Sequence, residues 1–166
     1  CTITNENGSY TGGIAGLTGA TVHGSFSKCT LSGKKYVGGI VGSGVQENVD
    51  GSGSSVRWNY SLVDITDCQQ YQGAISGSDT GTFEHNYYVS DDLPGINRQG
   101  YAGRAEPISY SQLLALSDLP ESMKSFTLTF VADDKTVLSR TFNYGDSIDE
   151  SDIPEPPTKS GWHVHW

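Results

Sequence analysis

The sequence predicts a mainly β chain that begins with a short β-solenoid, or β-helix, of about three rungs. Two phrases that each recur three times support this prediction, and so does frequent glycine without a helical stripe. We divide the chain into a solenoid at about 1–90, an irregular segment with a short capping helix at 91–124, and a small β module at 125–166.

The first recurring phrase is rich in glycine. It reads YTGGIAG from Tyr10, YVGGIVG from Tyr36 and YQGAISG from Tyr71, so the spacings are 26 and 35 residues. The aligned positions are Tyr10, Tyr36 and Tyr71; Gly12, Gly38 and Gly73; Ile14, Ile40 and Ile75; and Gly16, Gly42 and Gly77.

The second phrase reads VHGSF at 22–26, VRWNY at 56–60 and FEHNY at 83–87. It starts six residues after the last glycine of the first phrase in two copies, but 14 residues after it in the middle copy. The middle copy therefore carries an insertion of about eight residues within 43–55, a Gly/Ser-rich stretch typical of a loop. Without the insertion the period is about 26 to 27 residues, which is typical of a solenoid, propeller or array.

Short alternating segments broken by glycine are typical of strands and turns. A coil of such strands places like residues on like, so we expect an isoleucine column, an aromatic column and a cysteine column inside it. We expect the glycines at corners and at close approaches between rungs, with Ile40 in the core.

The stretch CTLSGKKYVGGIVG, residues 29–42, resembles the GLUG repeat. That family occurs in tandem in bacterial cell-surface proteins, including regions of some IgA-cleaving metallopeptidases. The resemblance covers about residues 1–90 and implies a β-solenoid module on an exported protein, without catalytic residues of its own. The third copy departs from the pattern, because Ala74 replaces the second glycine and Cys68 lies three residues before Tyr71.

A composition shift marks the end of the repeats. Nineteen of the 21 glycines lie in residues 1–103, and all six prolines follow residue 93. Residues 91–104 have an irregular pattern, and EPISYSQLLALSDLPESM predicts a short helix that caps the solenoid. Ser109 or Ser111 is its expected N-cap, and Leu113, Leu114 and Leu116 are its expected apolar face.

From Ser125 two alternating stretches flank an Asp-Asp-Lys turn, which predicts a hairpin. The segment resembles the Listeria–Bacteroides repeat, a small β-grasp-like module of surface proteins, over about 40 residues. The resemblance implies a β-grasp-like module that is partial here, with its later part missing or very short. The matching residues are Thr129, Phe130, Tyr144, Gly145, Ile148, Pro154, Pro156, Lys159, Gly161 and Trp162.

Composition narrows the function classes. A net charge of −9 argues against nucleic acid and against an anionic membrane surface as partners. The sequence has no run of 18 apolar residues that could span a bilayer, and no signal peptide opens it. We interpret the chain as a piece excised from a longer protein. Three cysteines form no disulfide framework, so we expect small buried side chains and at least one free thiol.

Candidate catalytic and metal-binding groups are sparse. His163 and His165 are two residues apart, a spacing that would place both side chains on one face of a strand. No further ligand in the sequence completes a metal site with them. Asp64, Asp67 and Glu84 would support enzymatic acid–base chemistry only if they converge in one cleft. We therefore expect no enzyme, no metal site and no cofactor.

Candidate binding residues lie in the unrepeated positions. The insertion offers Glu47, Asn48 and Asp50 but lacks the pattern of a calcium loop. Trp58 has no aromatic counterpart in the other copies and is the expected exposed contact, whereas Tyr60 and Tyr87 are expected in a core ladder.

The expected function is a non-enzymatic structural or adhesive module of a bacterial cell-surface or secreted protein, acting as a stalk or presentation domain. The alternative is a dedicated module that binds glycans or host extracellular proteins through the 43–55 insertion and Trp58. A weaker alternative is an accessory region of a surface peptidase or carbohydrate-active enzyme. Other domains of the same chain are further candidate partners, and an exposed N-terminal strand edge could support dimerisation.

Overall fold

The computed structural model describes residues 1–44, 54–97, 103–143, 145–158, 161 and 166. The chain divides into two compact units, the repeat unit, Cys1–Leu119, and the hairpin unit, Pro120–Trp166. Strands dominate both units, which confirms the predicted mainly β fold. None of the helices in the described part of the chain is long and apolar enough to cross a membrane.

The repeat unit contains three long strands and several strands of three residues each. Its described elements are β1 (Thr2–Gly12), β2 (Ala15–Leu17), β3 (Thr21–His23), β4 (Phe26–Gly38), β5 (Val41–Ser43), β6 (Ser55–Arg57), β7 (Tyr60–Gly73), β8 (Thr82–Glu84), β9 (Asn86–Tyr88), β10 (Ala105–Pro107) and α1 (Tyr110–Leu114).

The long strands form one parallel sheet in the order β1-β4-β7-β9-β10. Gly38 of β4 is paired with Gly12 of β1 and with Gly73 of β7, which are the glycines that the sequence alignment sets at one position. A Cβ on Gly38 would come within 1.9 Å of the Val41 carbonyl oxygen, so the backbone approach there needs glycine.

Two smaller parallel sheets accompany the first. One has the order β3-β6-β8 and pairs Val22 with Val56 and Val56 with Phe83. The other pairs β2 with β5, and isolated bridges extend it from Val41 to Ser76 and from Ser76 to Ile96. Each copy of the first phrase therefore contributes to the large sheet and to the pairings of β2 and β5, and each copy of the second phrase contributes to the large sheet and to the β3-β6-β8 sheet.

The three sheets share one hydrophobic core. Residues from all three pack in a single cluster, whose buried members are Cys29, Leu31, Val37, Ile40, Val41, Val56, Val63, Ala74, Ile75, Phe83, Tyr88, Ile96 and Ala105. Ile40 and Ile75 are fully buried, as expected, but Ile14 is 47% exposed. The expected isoleucine column is thus buried in two of its three positions, because Ile14 belongs to the first copy, which has a following copy but no preceding one among the described strands.

The aromatic column does not lie in the core, which corrects the expectation for Tyr60 and Tyr87. The Tyr60 ring stacks on the Phe26 ring at a centroid distance of 5.2 Å and on the Tyr87 ring at 5.4 Å, and all three residues are half-buried. The next residues, Ser27, Ser61 and Tyr88, are the buried ones. Since successive side chains of a strand point to opposite faces, the ring column lies on the outer face.

The cysteines also differ from expectation. Cys1 and Cys29 form a disulfide across β1 and β4, with their Cα atoms 4.5 Å apart. Cys29 is paired in the sheet with Val63, so no cysteine column exists there. Cys68 is a free, half-buried thiol, as expected from the odd count. Parallel in-register strands bring Cys1 beside Cys29, a proximity that spacing alone did not reveal.

Among the described residues of 91–104, Ile96 forms an isolated bridge to Ser76 and the others lie outside strands and helices. Strand β10 follows them and lies beside β9 in the large sheet. Helix α1 begins after Ser109, whose hydroxyl accepts from the Gln112 backbone N–H while the Gln112 side chain accepts from the Ser109 N–H. Leu113 and Leu119 are buried.

The hairpin unit has a simpler local plan. Its described elements are α2 (Glu121–Lys124), β11 (Ser125–Ala132), β12 (Lys135–Asn143) and a 3-10 turn at Glu150–Asp152. Strands β11 and β12 are antiparallel, and Ala132 pairs with Lys135 across a two-residue turn. Asp133 and Asp134 have φ values of 48° and 58°, the left-handed pair that a type I′ hairpin turn requires.

Candidate ligand-binding face

Three corner residues at the ends of β3, β6 and β8 build the candidate face. Gly24, Trp58 and His85 follow these strands, whose last residues His23, Arg57 and Glu84 are paired in register. The corner residues have φ values of 62°, 58° and 51°, a left-handed conformation that is unfavourable for residues other than glycine. Because the three strands are in register, the Trp58 and His85 side chains lie in one column, and Gly24 occupies the third position of that column without a side chain.

Trp58 is the prominent member of this column. It is 50% exposed, and its ring stacks on the His85 imidazole with centroids 4.4 Å apart and planes inclined by 19°. The exposure agrees with the expectation from sequence. The expectation that Trp58 has no ring counterpart is wrong, because the imidazole of His85 is its stacking partner.

A pair of buried asparagines lies directly behind these corners. Asn59 and Asn86 are fully buried, and the Asn59 amide nitrogen donates to the Asn86 side-chain oxygen at 2.9 Å and to the Val22 carbonyl at 3.0 Å. The Asn59 side-chain oxygen accepts from the Ser25 backbone N–H at 3.0 Å. One side chain therefore holds the backbone on both sides of Gly24, at Val22 before it and at Ser25 after it.

The asparagine pair was not predicted from the sequence, although the sequence contains a signal for it. Ser25, Asn59 and Asn86 occupy the same position of the second recurring phrase, so a polar residue recurs where the neighbouring positions carry rings. A repeated polar residue between repeated aromatic ones is typical of a buried hydrogen-bonding column. Asn86 extends the column by donating to the Val56 and Arg104 carbonyls at 2.8 and 3.0 Å.

A second ring column lies at the other recurring corner. Tyr10, Tyr36 and Tyr71 stack with centroid distances of 5.1 and 4.9 Å, and all three have left-handed backbone. The Lys35 ammonium lies 4.8 Å from the Tyr36 ring centroid and 5.3 Å from that of Tyr71, a cation–π arrangement. This column has a ring in every copy, in contrast to the column of Trp58.

Two groups have shifted pKa values, and both shifts have a local cause. Burial raises the pKa of the Tyr60 hydroxyl, and the nearby Tyr87 and Asp118 add to the rise. Burial likewise raises the pKa of the Cys68 thiol, with a further contribution from Asp67 against the opposing effect of backbone hydrogen bonds. A raised thiol pKa keeps Cys68 protonated near neutral pH, unlike an activated nucleophile.

The remaining predicted site residues fall in different places. Glu47, Asn48 and Asp50 lie outside the described residues, as do His163 and His165. The described residues on either side of the insertion are adjacent, because the Ser54 N–H donates to the Gly44 carbonyl at 3.3 Å.

The acidic residues do not converge on one strand or sheet. Asp64 and Asp67 are exposed on β7 of the large sheet, whereas Glu84 ends β8 in another sheet. Asp64 lines a shallow cleft of about 340 Å³ together with Cys1, Cys29 and Val63, and Glu84 is not among its lining residues. Within the described part of the chain, no three His, Cys, Asp or Glu side chains form a group that could hold a metal ion.

Comparison with known proteins found no matching protein family, no matching curated protein and no matching solved structure.

Proposed function

We propose that the repeat region, about residues 1–90, is a short β-solenoid that serves as a stalk or presentation module of a bacterial cell-surface or secreted protein. The observation that carries this proposal is the parallel, in-register pairing of corresponding residues from successive copies, such as Gly12, Gly38 and Gly73. A coil in which each copy contacts its neighbours is a stiff element, because its parts cannot rotate independently.

The disulfide supports an extracellular location. Cys1 and Cys29 are bonded, and disulfides persist mainly in oxidising compartments such as the cell exterior. The resemblance of residues 29–42 to the GLUG repeat points to the same compartment. The antiparallel pair β11 and β12 is compatible with the β-grasp-like module that the resemblance to the Listeria–Bacteroides repeat implies.

A distance measurement tests the stalk. The 166-residue chain carries a fluorophore at each end of the repeat unit, Cys1–Leu119, and single-molecule energy transfer gives the distribution of distances between the two labels. We expect a narrower distribution than with the same labels on a Gly/Ser linker of equal residue number, because such a linker behaves as a random coil. The variant Gly38→Val, which breaks the close approach between copies, should broaden the distribution. A distribution as broad as that of the flexible linker would contradict the stalk.

One observation favours a second candidate function, a dedicated binding module. Trp58 is half-exposed on a left-handed corner, where strain and exposure both disfavour a large aromatic residue in a purely structural role. A glycan and extracellular-matrix array tests this candidate. Binding that Trp58→Ala abolishes would support it, and an array without any hit would leave the stalk as the function.

A further inference from the structure

We propose that the open position beside Trp58, on its Gly24 side, is a subsite for one neutral pyranose ring of a glycan. This inference rests on the second candidate function and deepens it by assigning the ligand class and the place where the ligand lies. It does not depend on the stalk.

The column of Gly24, Trp58 and His85 has an open position beside Trp58. Strand β6 lies between β3 and β8, so Trp58 lies between Gly24 and His85 in the corner column. One face of the indole is covered by the His85 ring at 4.4 Å. The opposite face is directed to Gly24, where an added Cβ would meet no atom within 4 Å. The other ring columns continue at spacings of 4.9 to 5.4 Å, so the position beside Trp58 has the depth of one ring.

Hydrogen bonds of Asn59 connect the backbones at Gly24 and Trp58. Asn59 follows Trp58 directly, is fully buried, and bonds to Val22 and Ser25 on either side of the opposing corner. The backbones at Gly24 and Trp58 are therefore held in place before any ligand arrives. A preformed site avoids the ordering cost that weakens binding by flexible residues.

Polar side chains next to the corner positions match the edge of a sugar ring. A pyranose ring presents C–H groups on its faces and hydroxyls around its edge, so it needs an aromatic face with donors and acceptors beside it. Exposed His23, Arg57 and Glu84 lie one residue before the three corner positions and supply both kinds of group. Arg57 and Glu84 carry opposite charges beside Trp58, which favours a neutral sugar over a sulfated or carboxylated one.

Saturation-transfer difference NMR on the intact chain tests the proposal with neutral gluco-, galacto-, manno- and N-acetylglucosamine oligosaccharides. We expect weak, millimolar binding by at least one series, because a single ring contact is small. Trp58→Ala should abolish the signal. Trp166→Ala is the matched control, because Trp166 is also exposed, at 42%, but lies in the hairpin unit.

A variant that fills the gap separates the subsite from the broader function. Gly24→Trp keeps Trp58 and adds a ring at the open position, so it should abolish binding, whereas Gly24→Asn tolerates left-handed backbone and should retain it. Loss with Trp58→Ala but full binding by Gly24→Trp would overturn the subsite and keep the binding module. No binding by any neutral series would overturn the proposal, and so would binding restricted to sulfated chains. Native hydrogen-exchange protection in β6 confirms that each variant is folded.

Discussion

The repeat unit and the hairpin unit are both built from strands, but they bury their side chains in different ways. The repeat unit joins strands that are far apart in sequence into parallel sheets around one core. The hairpin unit joins two consecutive strands through a two-residue turn. Its buried apolar side chains among the described residues are Met123 and Phe142, whereas Phe126, Val131 and Val137 are 39 to 54% exposed.

The difference shows what stacking of copies contributes. A two-stranded hairpin has two faces and too little surface to cover either, so it is marginal by itself. Repeated strands cover one another along the stacking direction, and each added copy buries residues of the copy before it. We therefore expect substitutions in the repeat unit to have large effects and equivalent surface substitutions in the hairpin unit to have small ones.

The largest expected effect comes from Asn59→Ala. The substitution removes the side-chain partner of the Ser25 N–H and of the Val22 carbonyl, and it leaves the Asn86 side-chain oxygen with the bond from the backbone N–H of residue 59. Unsatisfied buried groups of this kind should lower the free energy of unfolding by about 3–5 kcal/mol. Denaturant titration followed by hydrogen-exchange mass spectrometry of repeat-unit peptides measures the change. The exposed Asn7→Ala is the control, and an equal effect of both would refute the buried column.

Removal of the disulfide should have the next largest effect. The bond closes a loop with a sequence separation of 28, and the chain-entropy estimate for such a loop is about 3–4 kcal/mol. The double variant Cys1→Ser/Cys29→Ser should therefore unfold its repeat unit at lower denaturant, whereas exchange in hairpin-unit peptides should change less. Cys68→Ser is the control for thiol loss. A shift of both units by the same amount would contradict the separation into two units.

Glycine substitutions sharpen the comparison within the repeat unit. Gly38→Ala should cost about 3 kcal/mol, because its Cβ would clash with the Val41 carbonyl oxygen. Gly24→Ala meets open space and should cost only about 1–2 kcal/mol, from its left-handed backbone. Thermal unfolding by circular dichroism compares the two. A larger loss at Gly24 than at Gly38 would show that close approach between copies does not limit stability.

The smallest expected effect lies in the hairpin unit. Lys124 and Glu121 form an exposed ion pair at 2.7 Å, so Lys124→Ala should change the free energy of unfolding by less than about 0.5 kcal/mol. Hydrogen exchange of peptides in β11 measures it, in low and in high salt. A loss above about 1 kcal/mol would mean that this unit depends on surface charge to an extent that the median exposed pair does not reach.

The strand pairing could largely be predicted from the sequence, but not which side chains of each strand face inward. Alignment of the phrases set Val22 beside Val56 and Phe83, and the structure pairs the same residues. The same alignment predicted Tyr60 in the core, whereas the alternation along β7 buries Ser61 and leaves the Tyr60 ring on the outer face. A period identifies which residues are neighbours, but it does not say which of the two sides of a strand faces inward.

The candidate site was predicted only in part for a similar reason. Trp58 was identified because it breaks the repeat, and the structure exposes it. The alignment of the copies sets His85 opposite Trp58, but an imidazole does not count as an aromatic residue in a pattern of Phe, Tyr and Trp. Asn59 was overlooked because burial of a polar side chain becomes reasonable only when its hydrogen-bond partners from other copies are known.

The contact between Gly44 and Ser54 has a practical consequence for engineering. Because the Ser54 N–H bonds to the Gly44 carbonyl, the chain leaves the sheets and returns to them at one point. The entropic cost of closing a loop rises only slowly with its length, so peptides of different sizes can be grafted between these two residues at similar cost. The position is therefore a suitable insertion site for displaying foreign epitopes or affinity tags on the repeat unit.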